Sequence, residues 1–181
     1  MSIVVPKSLH IRLHRSFVYI MANIIASYIG TREFVIAGSY KRGCNWCNDI
    51  DLVVPDHLVN KELDSKLSKI GFKRNFLRKD RPQVFSQQFL LPLKFLFWKK
   101  IIVLDIMPYN KDNLGNVLLF STGPAKANDT IRRMLPSQGW RWSHPTFFEN
   151  VVSGSRISFS TEKEALNFIK LNLGEIDGKV D

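Results

Sequence analysis

Phe34-Val35-Ile36-Ala37-Gly38-Ser39-Tyr40-Lys41-Arg42-Gly43-Cys44-Asn45-Trp46-Cys47-Asn48-Asp49-Ile50-Asp51-Leu52-Val53-Val54 is the stretch on which the reading of this chain turns. Its opening residues, Phe34 to Ala37, are apolar and read as a short buried strand. Gly38-Ser39 breaks that strand. Asp49 to Val54 reads as a second strand with carboxylates at positions i and i+2, and strand alternation puts Asp49 and Asp51 on one face. Like charges side by side repel, and a fold tolerates them when a cation lies between them or one takes up a proton. The pair therefore asks for a metal ion. Gly38 and Ser39 offer backbone N–H groups and a hydroxyl to an anion, as a nest at a strand-to-helix turn does. Arg42 adds a planar cation suited to phosphate oxygens. Metal beside polyphosphate is the arrangement for nucleotidyl transfer. Gly-Ser or Asp-x-Asp alone says little. The order Gly-Ser, basic residue, Asp-x-Asp, apolar strand is far more specific.

Composition points the same way. The chain has 181 residues, enough for one domain or two small subdomains. Lys and Arg number 26 against 16 Asp and Glu, a formal charge of +10, and the pI is about 9.8. That balance favours a polyanionic partner, nucleic acid or an acidic membrane face. No apolar run reaches the roughly 20 residues of a membrane span. Phe17 to Ile29 follows Arg12, His14 and Arg15 and loosely imitates a signal peptide. However, Asn23 interrupts the run and no small-x-small cleavage site follows. The two cysteines make no disulfide framework, so an intracellular setting is expected. Cys44-Asn45-Trp46-Cys47 could form half a zinc site or act in redox, but it has no second pair. His10, His14, His57 and His144 are scattered and read as incidental.

Along the chain, Pro6 to Ile29 reads as a helix with Leu13, Phe17, Met21, Ile24 and Tyr28 as its apolar stripe, closed by Gly30. Asn60 to Ile70 reads as a helix ended by Gly71. Phe72 to Arg81 carries Lys73, Arg74, Arg78, Lys79 and Arg81 and reads as a basic strand or hairpin, or else as a solvated face. Val84 to Trp98 reads as a strand or edge hairpin kinked at Pro92. Lys100 to Met107 is a strand with one carboxylate, Asp105, in an apolar run. An unpaired buried carboxylate is costly, so Asp105 is either salt-bridged or a third metal ligand. A helix is expected from Ala125 to Leu135. The aromatics of Gly139 to Ile157, among them Trp140, Trp142, Phe147 and Phe148, suggest short strands packed under the last helix rather than base-stacking surfaces. That helix is capped by Thr161 with Glu164 in a capping box, and its buried face is Ala165, Phe168, Ile169 and Leu171.

Gly38, Ser39, Tyr40, Lys41, Arg42, Gly43, Asp49 and Asp51 match without a gap the signature of family X DNA polymerases, the polymerase beta-like nucleotidyltransferases, which the stretch resembles. The family often has Gly before the first Asp, where this chain has Asn48. The resemblance covers about Phe34 to Leu173 and implies an α+β fold: a catalytic palm with a mixed sheet backed by helices, over 1–107, and a small nucleotide- and template-binding subdomain, over 108–181. It places Asp105 as third carboxylate. It implies two Mg²⁺ ions, with Mn²⁺ able to substitute. Asp49 and Asp51 would bridge both ions, and Asp105 would hold only the ion that activates the primer 3′-hydroxyl.

Gly38, Ser39, Arg42 and Asn48 would face the triphosphate. Phe120-Ser121-Thr122-Gly123 looks like the family's aromatic-aromatic-Thr-Gly motif against the deoxyribose, with Ser121 in place of an aromatic. Counting on from Gly123, Asn128 falls where the family faces the incoming base, and Arg132 where it faces the template. Arg133 would contact backbone phosphate or simply be exposed. The family bends its chain through a cis bond just after this Thr-Gly, so a cis Gly123–Pro124 bond is expected. No N-terminal lyase domain or helix-hairpin-helix segment is read here, as in reduced, viral-type members, and the compartment stays open. DNA would then be gripped by the basic residues of 73–81 and by Arg132 and Arg133, through counterion release. The implied protein is a monomeric, template-directed DNA polymerase. It would fill short gaps or extend recessed primers with deoxynucleoside triphosphates, in DNA repair and with low fidelity. A template-independent nucleotidyltransferase shares the signature, and a non-catalytic nucleic-acid-binding module is the alternative outside enzymes.

Overall fold

The computed structural model describes residues 7–75, 86–95 and 98–174, and the chain divides into two compact units, Met1–Pro108 and Tyr109–Asp181. Both are built from helices and sheet, so the fold class is α+β.

In the first unit, Lys7–Leu9 forms one 3-10 turn, followed by β1 (Leu13–His14), α1 (Arg15–Ile29), β2 (Val35–Ile36), α2 (Gly38–Lys41), β3 (Trp46–Cys47), β4 (Ile50–Pro55), α3 (Glu62–Ser68), β5 (Lys73–Arg74), β6 (Gln87–Phe95) and β7 (Trp98–Tyr109). Five strands form one sheet in the order β2-β4-β7-β6-β5, while β1 and β3 pair separately. The first helix starts later than the sequence suggests, because Leu13 and His14 pair with Cys47 and Trp46 as a ribbon. The His14 ring nitrogen then accepts from the Ser16 N–H as the N-cap. Gly30 closes α1 in a left-handed conformation, as expected, donating to Ala26 and Ser27 carbonyls.

The buried stripe of α1 is not the expected one. It runs Val18, Ala22, Ile25, Ala26 and Ile29, while Phe17, Ile24 and Tyr28 are exposed. Apart from Arg15 the helix has no charge to mark a wet face. Ser16, Asn23 and Ser27, seven and four residues apart, mark the exposed face instead, and the stripe opposite them is the one that is buried. The core joins α1 to Leu52 and Val54 of β4, Leu63 and Leu67 of α3, Phe89, and Leu104 and Ile106 of β7. Each such side chain contributes about 1.5–3 kcal/mol when fully buried. Of the two readings offered for Val84 to Trp98, its described part forms the strand, without the kink. Within it β6 runs unbroken through Pro92, opposite Ile101. β5 pairs only as far as Leu90, so no described strand needs the N–H that Pro92 lacks.

The second unit contains α4 (Leu114–Thr122), α5 (Ala125–Met134), a 3-10 turn (Leu135–Gln138), β8 (Trp140–His144), β9 (Phe147–Asn150), β10 (Arg156–Ile157) and α6 (Glu162–Leu173). The strands form a sheet in the order β10-β9-β8. Its core is Leu119, Ile131, Leu135, Trp142, Phe148, Ala165 and Ile169. The aromatics do pack, with Trp142 and Phe148 buried and Trp140 set edge-on to Phe168. The capping box forms as expected: Thr161 Oγ1 accepts from the Glu164 N–H, and Glu164 Oε2 accepts from the Thr161 N–H. Leu171, expected in the buried face of α6, is instead 86% exposed. It stands two positions from Ile169, and neighbours two apart do not share a helix face. The Gly123–Pro124 bond is trans, against the cis expectation. Gly123 and Pro124 both take extended angles (φ −60°, ψ 143° and φ −56°, ψ 141°), and Pro124 serves as the N-cap of α5, so the chain turns between helices without a cis bond.

Candidate metal centre

β4 and β7 are neighbours in the sheet, and that adjacency brings the carboxylates together. Asp51 lies in β4, Asp49 one residue before it, and Asp105 in β7. One oxygen from each lies within 4.8 Å of the others. The trio is sheltered, with Asp105 only 8% exposed and Asp49 and Asp51 half-buried. Among the described residues these aspartates are the group of His, Cys, Asp or Glu close enough to hold an ion. Cys44 and Cys47 are free thiols outside it, one exposed and one buried.

The turn after β2 closes over Asp51. The Ala37 N–H donates to the Asp51 carbonyl at 2.9 Å. Gly38 has φ +59°, and a Cβ there would sit 1.8 Å from Asp51 Oδ2, so only glycine fits. Next to it, the Ser39 hydroxyl is buried without a hydrogen-bond partner among the described residues. A buried hydroxyl of this kind usually finds a partner. Ser39 therefore suits an acceptor that arrives from outside, such as a phosphate oxygen.

Burial pushes the Asp51 carboxyl well above its ordinary range, and the charges of Asp49 and Asp105 add to the rise, while Arg42 opposes it. Carboxylates this close fit a cation. Three hard oxygen donors suit Mg²⁺, Mn²⁺ or Ca²⁺ rather than a thiolate-seeking metal. The sign for stability follows. With metal chelated, the folded protein holds the Asp51 proton more tightly than the unfolded chain does. This contribution is therefore fully present in acid and is lost as pH rises through the raised pKa. Asp51→Asn is expected to melt higher than wild type at pH 7 in chelator, by roughly 2–4 °C for each kcal/mol of strain relieved. The gap should close below about pH 4, near the unfolded carboxyl value, and Mg²⁺ should raise only the wild type. A melting difference that ignores both pH and Mg²⁺ contradicts this.

The other expected residues are placed as follows. Asn48 and Arg42 are exposed beside the trio's strand and turn. Phe120 and Thr122 lie in the last turn of α4, and Gly123 is its C-cap. Asn128 is buried, and its amide donates to the Phe120 carbonyl at 2.8 Å. The Arg132 guanidinium lies 5.0 Å from the Phe120 ring centroid and 5.5 Å from that of Trp142, and it pairs with Asp129 at 3.6 Å. Arg133 is exposed and donates to the Asp129 carbonyl. In β5, Lys73 is exposed, whereas Arg74 pairs with Asp64 at 3.2 Å. Arg78, Lys79 and Arg81 lie outside the described residues. No described helix is long and apolar enough to cross a membrane.

Sequence reading missed Gln88, whose Nε2 donates to Asp105 Oδ1 at 3.0 Å. The only signal was Gln87-Gln88 opening a mostly apolar strand. No protein-family model matches the sequence, and no curated protein matches it significantly.

Proposed function

We propose that this chain is a template-directed DNA polymerase of the family X type, which adds a nucleotide to a primer 3′-hydroxyl at short gaps. The observation that carries this reading is the aspartate trio on adjacent strands, with Gly38 packed against Asp51 and the orphaned Ser39 hydroxyl beside it. When bound, Mg²⁺ would supply Lewis-acid stabilisation of the attacking and leaving oxygens. Asp49, Asp51 and Asp105 would hold the ions. Ser39 and Arg42 would bind and orient the triphosphate, donating to its oxygens as charge-assisted hydrogen bonds. Asp105 would orient the primer hydroxyl and help take its proton. The surplus of basic residues would grip the DNA backbone.

A second reading, template-independent transfer, is favoured by the state of the second unit. Asn128 and Arg132, the residues the resemblance assigns to the base and template, are engaged with Phe120, Trp142 and Asp129. Extension of a gapped duplex against a single strand separates the two. Under the polymerase reading, the complementary nucleotide is favoured, and Arg132→Ala lowers templated incorporation by about tenfold while tailing of single strands changes little. Equal use of both substrates, with Arg132→Ala altering neither, selects the template-independent transferase.

A further inference from the structure

Gln88 stands opposite Asp105 in the β6–β7 register, so the two side chains share a face of the sheet. Besides the bond from Gln88 Nε2 to Asp105 Oδ1 at 3.0 Å, a second amide joins the chain. Asn75, just past β5, donates from Nδ2 to Gln88 Oε1 at 2.8 Å and from its backbone N–H to the Gln88 carbonyl at 2.8 Å. The direction of this relay is fixed from one end. An ionised carboxylate only accepts, so Gln88 turns its NH₂ to Asp105, and its Oε1 then requires a donor, which Asn75 supplies. Each amide has one workable orientation.

We infer that Gln88 is a positioning residue. It pins the rotation of the Asp105 carboxylate and thereby tunes which ion the three aspartates hold best. The inference rests on reading Asp49, Asp51 and Asp105 as metal ligands. Mg²⁺ demands near-ideal octahedral geometry at about 2.0–2.1 Å, whereas Ca²⁺ takes roughly 6–8 oxygens at about 2.3–2.6 Å and accepts bidentate carboxylates. A carboxylate tied by one oxygen to a neighbouring amide resists the rotation that gives both oxygens to one ion. Released from the tie, it turns more readily to the bidentate mode. Gln88 therefore favours the smaller ion.

The test is direct binding, independent of turnover. Mn²⁺ is titrated into the full chain and followed by electron paramagnetic resonance, then displaced by Mg²⁺ or Ca²⁺. Gln88→Met keeps the apolar stem and removes the donor. Asn75→Asp keeps the shape and turns the donor that orients Gln88 into an acceptor. Both are checked by thermal melting, and either alone suffices should the other fail to fold. Orienting partners of metal ligands are typically worth 10–100-fold in affinity. Gln88→Met is thus expected to weaken Mg²⁺ by about tenfold or more while Ca²⁺ changes by less than about threefold. Asn75→Asp should shift the ratio the same way by less. Parallel loss of both ions, or no change in either variant, overturns the inference and leaves the metal centre standing. Failure of wild type to bind Mn²⁺, or binding that Asp105→Asn does not weaken, overturns the metal reading and the inference with it.

Discussion

Asp49→Asn, Asp51→Asn and Asp105→Asn are each expected to lower nucleotide addition by at least about a thousandfold, the loss that follows when several kcal/mol of charge stabilisation is removed. The substitution keeps the side-chain shape and removes one negative charge from a trio already crowded within 4.8 Å. The folded state should survive, because less repulsion remains when no ion is bound. Single-turnover extension of a labelled primer measures the loss, and circular dichroism with melting shows that the fold is intact. Turnover near wild type in any one variant removes that residue from the proposed machinery.

Gly38→Ala has the next largest expected effect. A methyl group at Gly38 meets Asp51 Oδ2 at 1.8 Å, and the backbone there has φ +59°. Backbone strain alone costs about 1–2 kcal/mol for a residue with a Cβ. The clash must in addition displace either the Asp51 carboxylate or the turn that presents Ser39. Activity is expected to fall by about a hundredfold or more, since a misplacement on the order of 1 Å near the chemistry can cost that much. Gly43→Ala is the control. Gly43 also has positive φ, +80°, but an added Cβ meets nothing within 4 Å. It should share the strain and keep activity within a few-fold of wild type. Equal activity in the two variants would mean that the contact with Asp51 has no role.

The site was legible where its determinants are local. Strand alternation and a glycine at a tight turn mark Asp49, Asp51 and Gly38 in the sequence, whereas Asp105 joins them only through the adjacency of β4 and β7, which the family resemblance implied and no local mark did. What sequence missed depends on partners far along the chain. The Gln88 bond to Asp105 exists only through the β6–β7 register, a 17-residue separation. The stripe of α1 is only weakly marked, because its wet face carries Ser16, Asn23 and Ser27 but no charge beyond Arg15, and the large apolar Phe17, Ile24 and Tyr28 stay exposed beside it. The helix α4 leaves little mark in the sequence, because Gly115 stands in its first turn, Val117 and Thr122 are β-branched, and no side chain caps its start. The capping box of α6 was read correctly, since both of its partners lie three residues apart.

Filling of a one-nucleotide gap tests the central claim most directly. A gapped duplex, one deoxynucleoside triphosphate and Mg²⁺ are incubated with the purified chain, and primer length and released pyrophosphate are measured together. The account predicts a primer longer by one nucleotide with stoichiometric pyrophosphate, only for the complementary nucleotide by preference, and nothing when Mg²⁺ is chelated or Asp105 is asparagine. Binding of the duplex without extension under any divalent cation would contradict it and leave a nucleic-acid-binding module in place of a polymerase.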